Sequence, residues 1–263
     1  LLLELAEGLQ AHLGLLRLYS NQPDSTYRSY AGGPPPAPLL PSRQGLNRFH
    51  WDMRRAIIPG IPGVYVHGSY QGSLVGPGEY RLRLSSPFDT VEQRCRLLAD
   101  PRLKVDPAHY ARQQKALEQL DRAIRDLHRS VRRMRALRKQ VSFVTDQLKE
   151  ADCDEQVIRQ GVAIQRRIDD WEQPLIQRHQ RTDQDVINFP NRLNSQLMTL
   201  IERIDSPDPH LTQGARRRLE DLLQEWAIHK ATMREIMEKD LGRFNRTFKE
   251  QDLPVVLVPS SAD

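Results

Sequence analysis

Residues 45–55 read GLNRFHWDMRR, the densest gathering of chemistry-bearing side chains in the sequence. Read as a strand, the stretch puts Asn47, Phe49, Trp51 and Met53 on one face and Leu46, Arg48, His50 and Asp52 on the other. His50 and Asp52 then stand side by side, and a carboxylate beside an imidazole can prepare a general base. No nucleophile accompanies them. The stretch therefore reads as structure, with Phe49 and Trp51 inward and Arg48 paired with Asp52 along the outer face.

The carboxylates gather twice more, at Asp152, Asp154 and Glu155, and at Asp169, Asp170 and Glu172. Glycoside hydrolysis needs two carboxyls across a cleft, about 5 to 9 Å apart. Here one group falls at a helix start and the other along a helix beside Trp171, so both read as capping and solvated surface. Gly76 and Gly78 in GPGEY lack the strand, glycine loop and helix that would cradle a phosphate, and read as a turn. The eight histidines form no HExxH and the two cysteines no CxxC, so no metal site and no cofactor is expected.

The strongest charge feature is HRSVRRMRALRKQ at 128–140. Arg129, Arg132, Arg133, Arg135, Arg138 and Lys139 stand there without an acid, a candidate interaction surface for phosphates or an anionic membrane. Val131, Met134 and Leu137 mark the buried side of the same helix. The cations are thus left to face water or acidic neighbours. A net charge of +5 permits a nucleic-acid partner and does not require one. No run approaches the ~20 apolar residues of a membrane span.

The elements that must position these groups change in kind near residue 105. Residues 1–105 carry clusters such as GGPPPAPLLP and PGIPG between short apolar or alternating runs. The runs 1–6, 13–19, 46–53, 64–68, 79–84 and 91–98 predict strands of an immunoglobulin-like antiparallel β-sandwich, with Asn47, Phe49, Trp51, Met53 and Tyr80 in its core. Residues 106–252 predict about four antiparallel helices. Asp106-Pro107 opens the first, with a seam at Leu117, Leu120, Ile124, Leu127, Val131 and Met134 that slips by three residues to Leu137, Val141, Val144 and Leu148. The second stripe is Val157, Gly161, Ile164, Ile168, Trp171 and Leu175, the third Leu193, Leu197, Leu200 and Ile204, and the last runs from Leu219 to Phe248. An up-down-up-down stalk is expected, its last helix returning towards the sandwich with the strand-like tail 253–263 beside it. Cys153 would then sit far from Cys95, leaving two free thiols.

GLNRFHWDMRR, VYVHGSYQGSLVGPGEYRLRL and ADPR at 99–102 resemble the C-terminal region of bacterial sortilin-like BNR-repeat proteins, often called glycosyl-hydrolase-like. DVINFPNRLNSQLMTLI at 185–201 and FKEQDLPVVLVP extend the likeness over nearly the whole chain, in order. His50 and the missing tryptophan-glycine pair of the hairpin depart from the family pattern. The propeller that defines the family is absent, and its Asp-box S-x-D-x-G-x-x-W occurs nowhere here. The resemblance implies a non-catalytic accessory module of a larger exported protein, periplasmic or extracellular. Its partners would be the upstream propeller or a second copy through the helices, and any glycoside hydrolase residues would lie in the propeller. The start LLLELAEGLQAHLGLLRL is broken by Glu4 and Glu7 and is not a signal peptide, and with no initiator methionine the chain reads as part of a longer polypeptide.

Overall fold

The computed structural model describes residues 1–7, 14–150 and 155–250. The chain is α+β: one four-stranded antiparallel sheet, then a set of helices, one of them long. The strands are β1 (Leu2–Glu7), β2 (Leu15–Ser20), β3 (Gly78–Ser85) and β4 (Thr90–Leu97), in the order β2-β1-β3-β4. Alternation sets the register. Leu3 opposes Tyr19 and Leu84, and Leu5 opposes Arg17 and Leu82, so one face is largely apolar. Leu5, Leu16, Tyr19, Leu40 and Tyr80 are buried there, with Phe49 and Trp51 packed against them.

Two expected strands are not strands. In 46–53 polar side chains bind the backbone at either end of the stretch and fold it into turns rather than an extended ladder. Asn47 accepts from Arg43 N and donates to the Arg43 and Gly45 carbonyls, and Asp52 accepts from Arg54 N. Met53 has φ 56°, left-handed backbone that no strand tolerates. Asn47 and Met53 are accordingly exposed rather than core, whereas Tyr80 is buried and Phe49 and Trp51 are half-buried. Residues 64–68 are irregular too, with Val64 and Val66 buried against the helices.

The helices are α1 (Pro107–Glu150), α2 (Glu155–Glu172), α3 (Leu193–Ile204), α4 (Gln213–Glu235) and α5 (Leu241–Glu250). Asp106 caps α1 through Ala108 N at 2.8 Å, and its 44 residues span roughly 66 Å. The expected seam residues of α1 are buried, save half-buried Val144; Thr145 takes the inward place beside it.

Direction differs from the expectation. Leu193 N and Asn194 N donate to the carbonyls of Pro174 and Leu175, so α3 starts where α2 stops and continues its course, the residues between looping out. Three columns result: α1, then α2 followed by α3 running back, then α4 and α5 running parallel to α1. Gln113 reaches Ile204 O at one end, Asp126 meets Trp226 midway, and Gln160 meets Thr247 at the other. The last helix thus ends at the opposite end of α1 from the sheet. The expected tail strand at 253–263 and Cys153 lie outside the described residues. Cys95 is a free thiol, its pKa pushed up by burial.

Between α4 and α5 the chain makes one π turn over Ile236–Asp240. The wider turn adds a residue to the 3-4 spacing, and Ile236, Leu241, Phe244 and Phe248 all stay inward.

At Gly161 of α2 an added Cβ would clash with Thr145 Oγ1 on α1. Gly161→Ala is therefore expected to destabilise by about 1–3 kcal/mol, despite alanine's better helix propensity. Denaturant unfolding should show the loss, and a second change, Thr145→Ala, should recover part of it.

Candidate functional site

The joint between sheet and helices holds most of the residues that could do chemistry. Arg17 of β2 turns to Asp52, with Nη1 at 2.9 and 3.0 Å from its carboxylate oxygens, and lies over the Tyr19 ring at 4.7 Å. Asp52 therefore pairs across 35 residues, not with its neighbour Arg48; Arg48 and His50 are exposed. Arg54 reaches Asp205 at 2.6 Å, whose other oxygen accepts from Leu74 N, and Arg55 reaches Glu118 at 3.1 Å. The stretch that suggested a general base is instead a clasp.

Segment 56–62 lies in no strand: Ala56 N donates to Leu16 O and Ile58 N to Tyr70 O, and side chains of α1 take several of its carbonyls. Arg125 donates to Ala56 O and Ile57 O, His128 Nδ1 to Pro59 O at 2.8 Å, and Arg135 to Pro62 O at 3.2 Å. Spacing of three, then seven, aligns these side chains on one face of the helix. His128 is fully buried, and burial, with Arg132 and Arg125 adding to it, holds its pKa down at about 4, so the ring is neutral.

The basic stretch divides. Arg135 grips Glu172 at 2.7 Å, Arg138 grips Asp169 at 2.9 Å, and Arg178 bonds to both carboxylates, at 3.1 Å to Glu172 and 3.4 Å to Asp169. The Glu172 side chain is only 2% exposed, which corrects its reading as solvated surface. Arg133 is half-buried, its Nε without a hydrogen-bond partner. Arg129, Arg132 and Lys139 are exposed on one side of α1.

A small cleft of about 110 Å³ opens between Tyr30, Ala31, Gly63, Tyr65 and Arg181. Burial raises the pKa of Tyr30, and more strongly that of Tyr70 beside it, so both are neutral phenols. The nearest approach to an acid-base group is elsewhere. His109 and His210 stack with ring centroids 4.1 Å apart, and Asp208 accepts from His210. Partial desolvation, then the His210 charge, lowers the pKa of His109. Among the described residues no three His, Cys, Asp or Glu side chains converge to hold a metal ion, and no helix is long and apolar enough to cross a membrane.

A further open feature is the sheet. On its apolar face Leu84 and Val91 remain exposed, and Phe88 and Leu98 flank β4 at 97% and 76% exposure. Sequence reasoning placed β4 but missed this, because alternation says which residues share a face and not whether anything covers it.

Compared with protein-family models, curated proteins and solved structures, the chain matches none of them.

Proposed function

We propose that this chain is a non-catalytic interaction module, the accessory C-terminal part of a larger exported β-propeller protein. The observation that carries the reading is the uncovered β3–β4 half of the sheet, with Leu84, Phe88, Val91 and Leu98 in water. Asp52, Asp205, Glu172 and Asp169 are meanwhile engaged in ion pairs with Arg17, Arg54, Arg135 and Arg138 that hold the chain together. In this reading the sheet is one layer of an immunoglobulin-like sandwich whose facing layer the upstream part supplies, and the helical columns are an antiparallel stalk. The resemblance of GLNRFHWDMRR and DVINFPNRLNSQLMTLI to the sortilin-like BNR-repeat family supports the parent class and its export.

The test is the upstream coding sequence together with an assay of the chain alone. Asp-box repeats and an export signal are expected upstream, and no hydrolysis of aryl glycosides by the isolated chain. Glycoside hydrolysis by this chain, lost on Asp52→Asn, or an open reading frame that begins at Leu1, overturns the proposal.

A second reading rests on Arg129, Arg132 and Lys139, whose spacing presents three exposed cations on one side of α1. It requires duplex DNA or anionic vesicles to bind at low salt and to lose affinity when these three are changed to Glu.

A further inference from the structure

The sheet has two edges, and they are not alike. Outside β2, Leu40 N donates to Ser20 O and Ala56 N to Leu16 O, so the chain covers its own edge. β4 is the other edge: among the named elements it contacts β3 alone, and no loop among the described residues is seen to make a backbone hydrogen bond to its outer side. Edge strands are normally guarded by proline, lysine, a bulge or an inward-pointing charge. β4 reads TVEQRCRL: it has no proline, lysine, bulge or inward-pointing charge, and the charges it does carry, Glu92, Arg94 and Arg96, all lie on the solvent side. Its pairing with β3 is regular from Thr90 to Leu97, and its core-side residues are Val91, Gln93, Cys95 and Leu97.

Charge on the solvent side is unbalanced within one chain. Arg94 lies directly opposite Arg81 on β3, and like charges across a strand pair repel. Glu92 is shared between Arg81 and Arg83 at 3.6 Å from each. Arg94 makes no ion pair among the described residues and is exposed.

We propose that β4 pairs antiparallel with β4 of a second copy, making one continuous eight-stranded sheet across a two-fold axis. This deepens the reading of the chain as an interaction module by naming its partner and its surface. A two-fold antiparallel pair keeps solvent side against solvent side only in registers that oppose residues of equal parity. Of these, the register with Gln93 opposite Gln93 sets Glu92 of each copy against Arg94 of the other. Val91 then meets Cys95, Thr90 meets Arg96, and exposed Phe88 comes to exposed Leu98 at both ends of the seam. Sliding by one step sets Glu92 against Glu92 in one direction, and in the other Arg94 against Arg94 while Glu92 meets Arg96, so only the Gln93 register pairs opposite charges without a like-charge contact. The strand is thus complementary to itself in charge and in apolar contacts at one register, which is what an isologous interface requires.

The experiment is sedimentation equilibrium of the full chain with charge-swap variants. The wild type should associate to a dimer as concentration rises. E92R and R94E should each raise the dissociation constant by about tenfold or more, since each reversal turns two attractive pairs into repulsive ones. The double variant E92R/R94E exchanges the charges of every inter-copy pair and should restore dimerisation. It also keeps the net charge of the sheet and serves as the folding control, checked by circular dichroism. Hydrogen exchange at β4 should be protected at high concentration and lose protection on dilution.

A wild type that stays monomeric, or a double variant as weak as the singles, overturns the proposal. So does protection of β4 that ignores dilution, which would mean that the chain covers its own edge. These outcomes are separable from the parent reading. A dimer with no Asp-box repeats upstream sinks the accessory role alone, and repeats upstream of a strict monomer sink the β4 seam alone.

Discussion

Replacing Glu172 by alanine is expected to lower the free energy of unfolding by about 3 kcal/mol, although the residue lies in a run that reads as solvated helix surface. Its carboxylate is buried between Arg135 and Arg178, and Arg135 binds it with Nε and Nη2 together, at 2.7 to 3.1 Å. Removing the anion leaves Arg135 without a carboxylate and close to Arg178, which keeps only Asp169, shared with Arg138, in a site that only part of the solvent reaches. That residual charge, rather than the lost contact, sets the size of the effect. Both arginines are a third or more exposed, at 34% and 38%, so they can turn partly to water, which keeps the loss near the lower end for a buried pair. Glu172→Gln should cost less, since the amide oxygen still accepts. Glu155, 82% exposed in its pair with Arg159, is the control: Glu155→Ala should change stability by less than about 0.5 kcal/mol. Denaturant unfolding followed by far-UV circular dichroism measures all three. Equal effects of Glu172→Ala and Glu155→Ala would mean that burial at Glu172 does not govern the pair.

The same residue shows what the chain's linear pattern can convey. The apolar stripes of α1 to α5 were legible, because each buried position recurs at three or four residues and a helix has one inward side. β1 to β4 were legible through alternation. What sequence could not convey was pairing over distance. Arg17 with Asp52, Arg54 with Asp205 and Arg135 with Glu172 join residues 35, 151 and 37 apart, and nothing local marks one arginine as paired and its neighbour as free.

The strand reading of 46–53 failed for a related reason. Alternation was present, but Asn47 and Asp52 have short polar side chains that compete for backbone bonds, and they won. The direction of α3 was likewise invisible. Pro174 and the polar link suggest a reversal, whereas the link loops out and returns to its starting point. The candidate site followed the same rule: the cations of α1 could be named, but their division into clasped and exposed groups depends on where α2 lies.

Lowering the pH from 7 to 4 is expected to cost the folded chain about 3 kcal/mol through His128 alone. The ring is enclosed between α1 and the 56–62 segment. Its Nδ1–H donates to Pro59 O at 2.8 Å, and its Nε2 has no hydrogen-bond partner. Burial opposes the charged form first, and the cations of Arg132 and Arg125 oppose it further, so the folded-state pKa is about 4. An unfolded histidine takes up its proton near ~6.5. Between these values the unfolded chain binds the proton and the folded chain does not. Each pH unit of acidification then shifts the balance towards unfolding by about 1.4 kcal/mol. Above the upper value both states are neutral and the full stability is present. Below about 4 both are charged, and this group adds no further loss.

His229 is also lowered by burial and acts in the same direction, while carboxylates titrate mostly lower, so the wild-type curve is a sum. The contribution of His128 is isolated by His128→Asn, which keeps an N–H near the Nδ1 position and cannot titrate. At pH 7 the variant should be the less stable, having lost ring volume in a packed site. Its disadvantage should then shrink by about 3 kcal/mol as pH falls to 4, because only the wild type must bury a charge. Unfolding free energies of the two chains across that range decide the matter. Parallel curves would place the ring in contact with water, and with it would go the view that α1 and the 56–62 segment close over His128 as one packed layer.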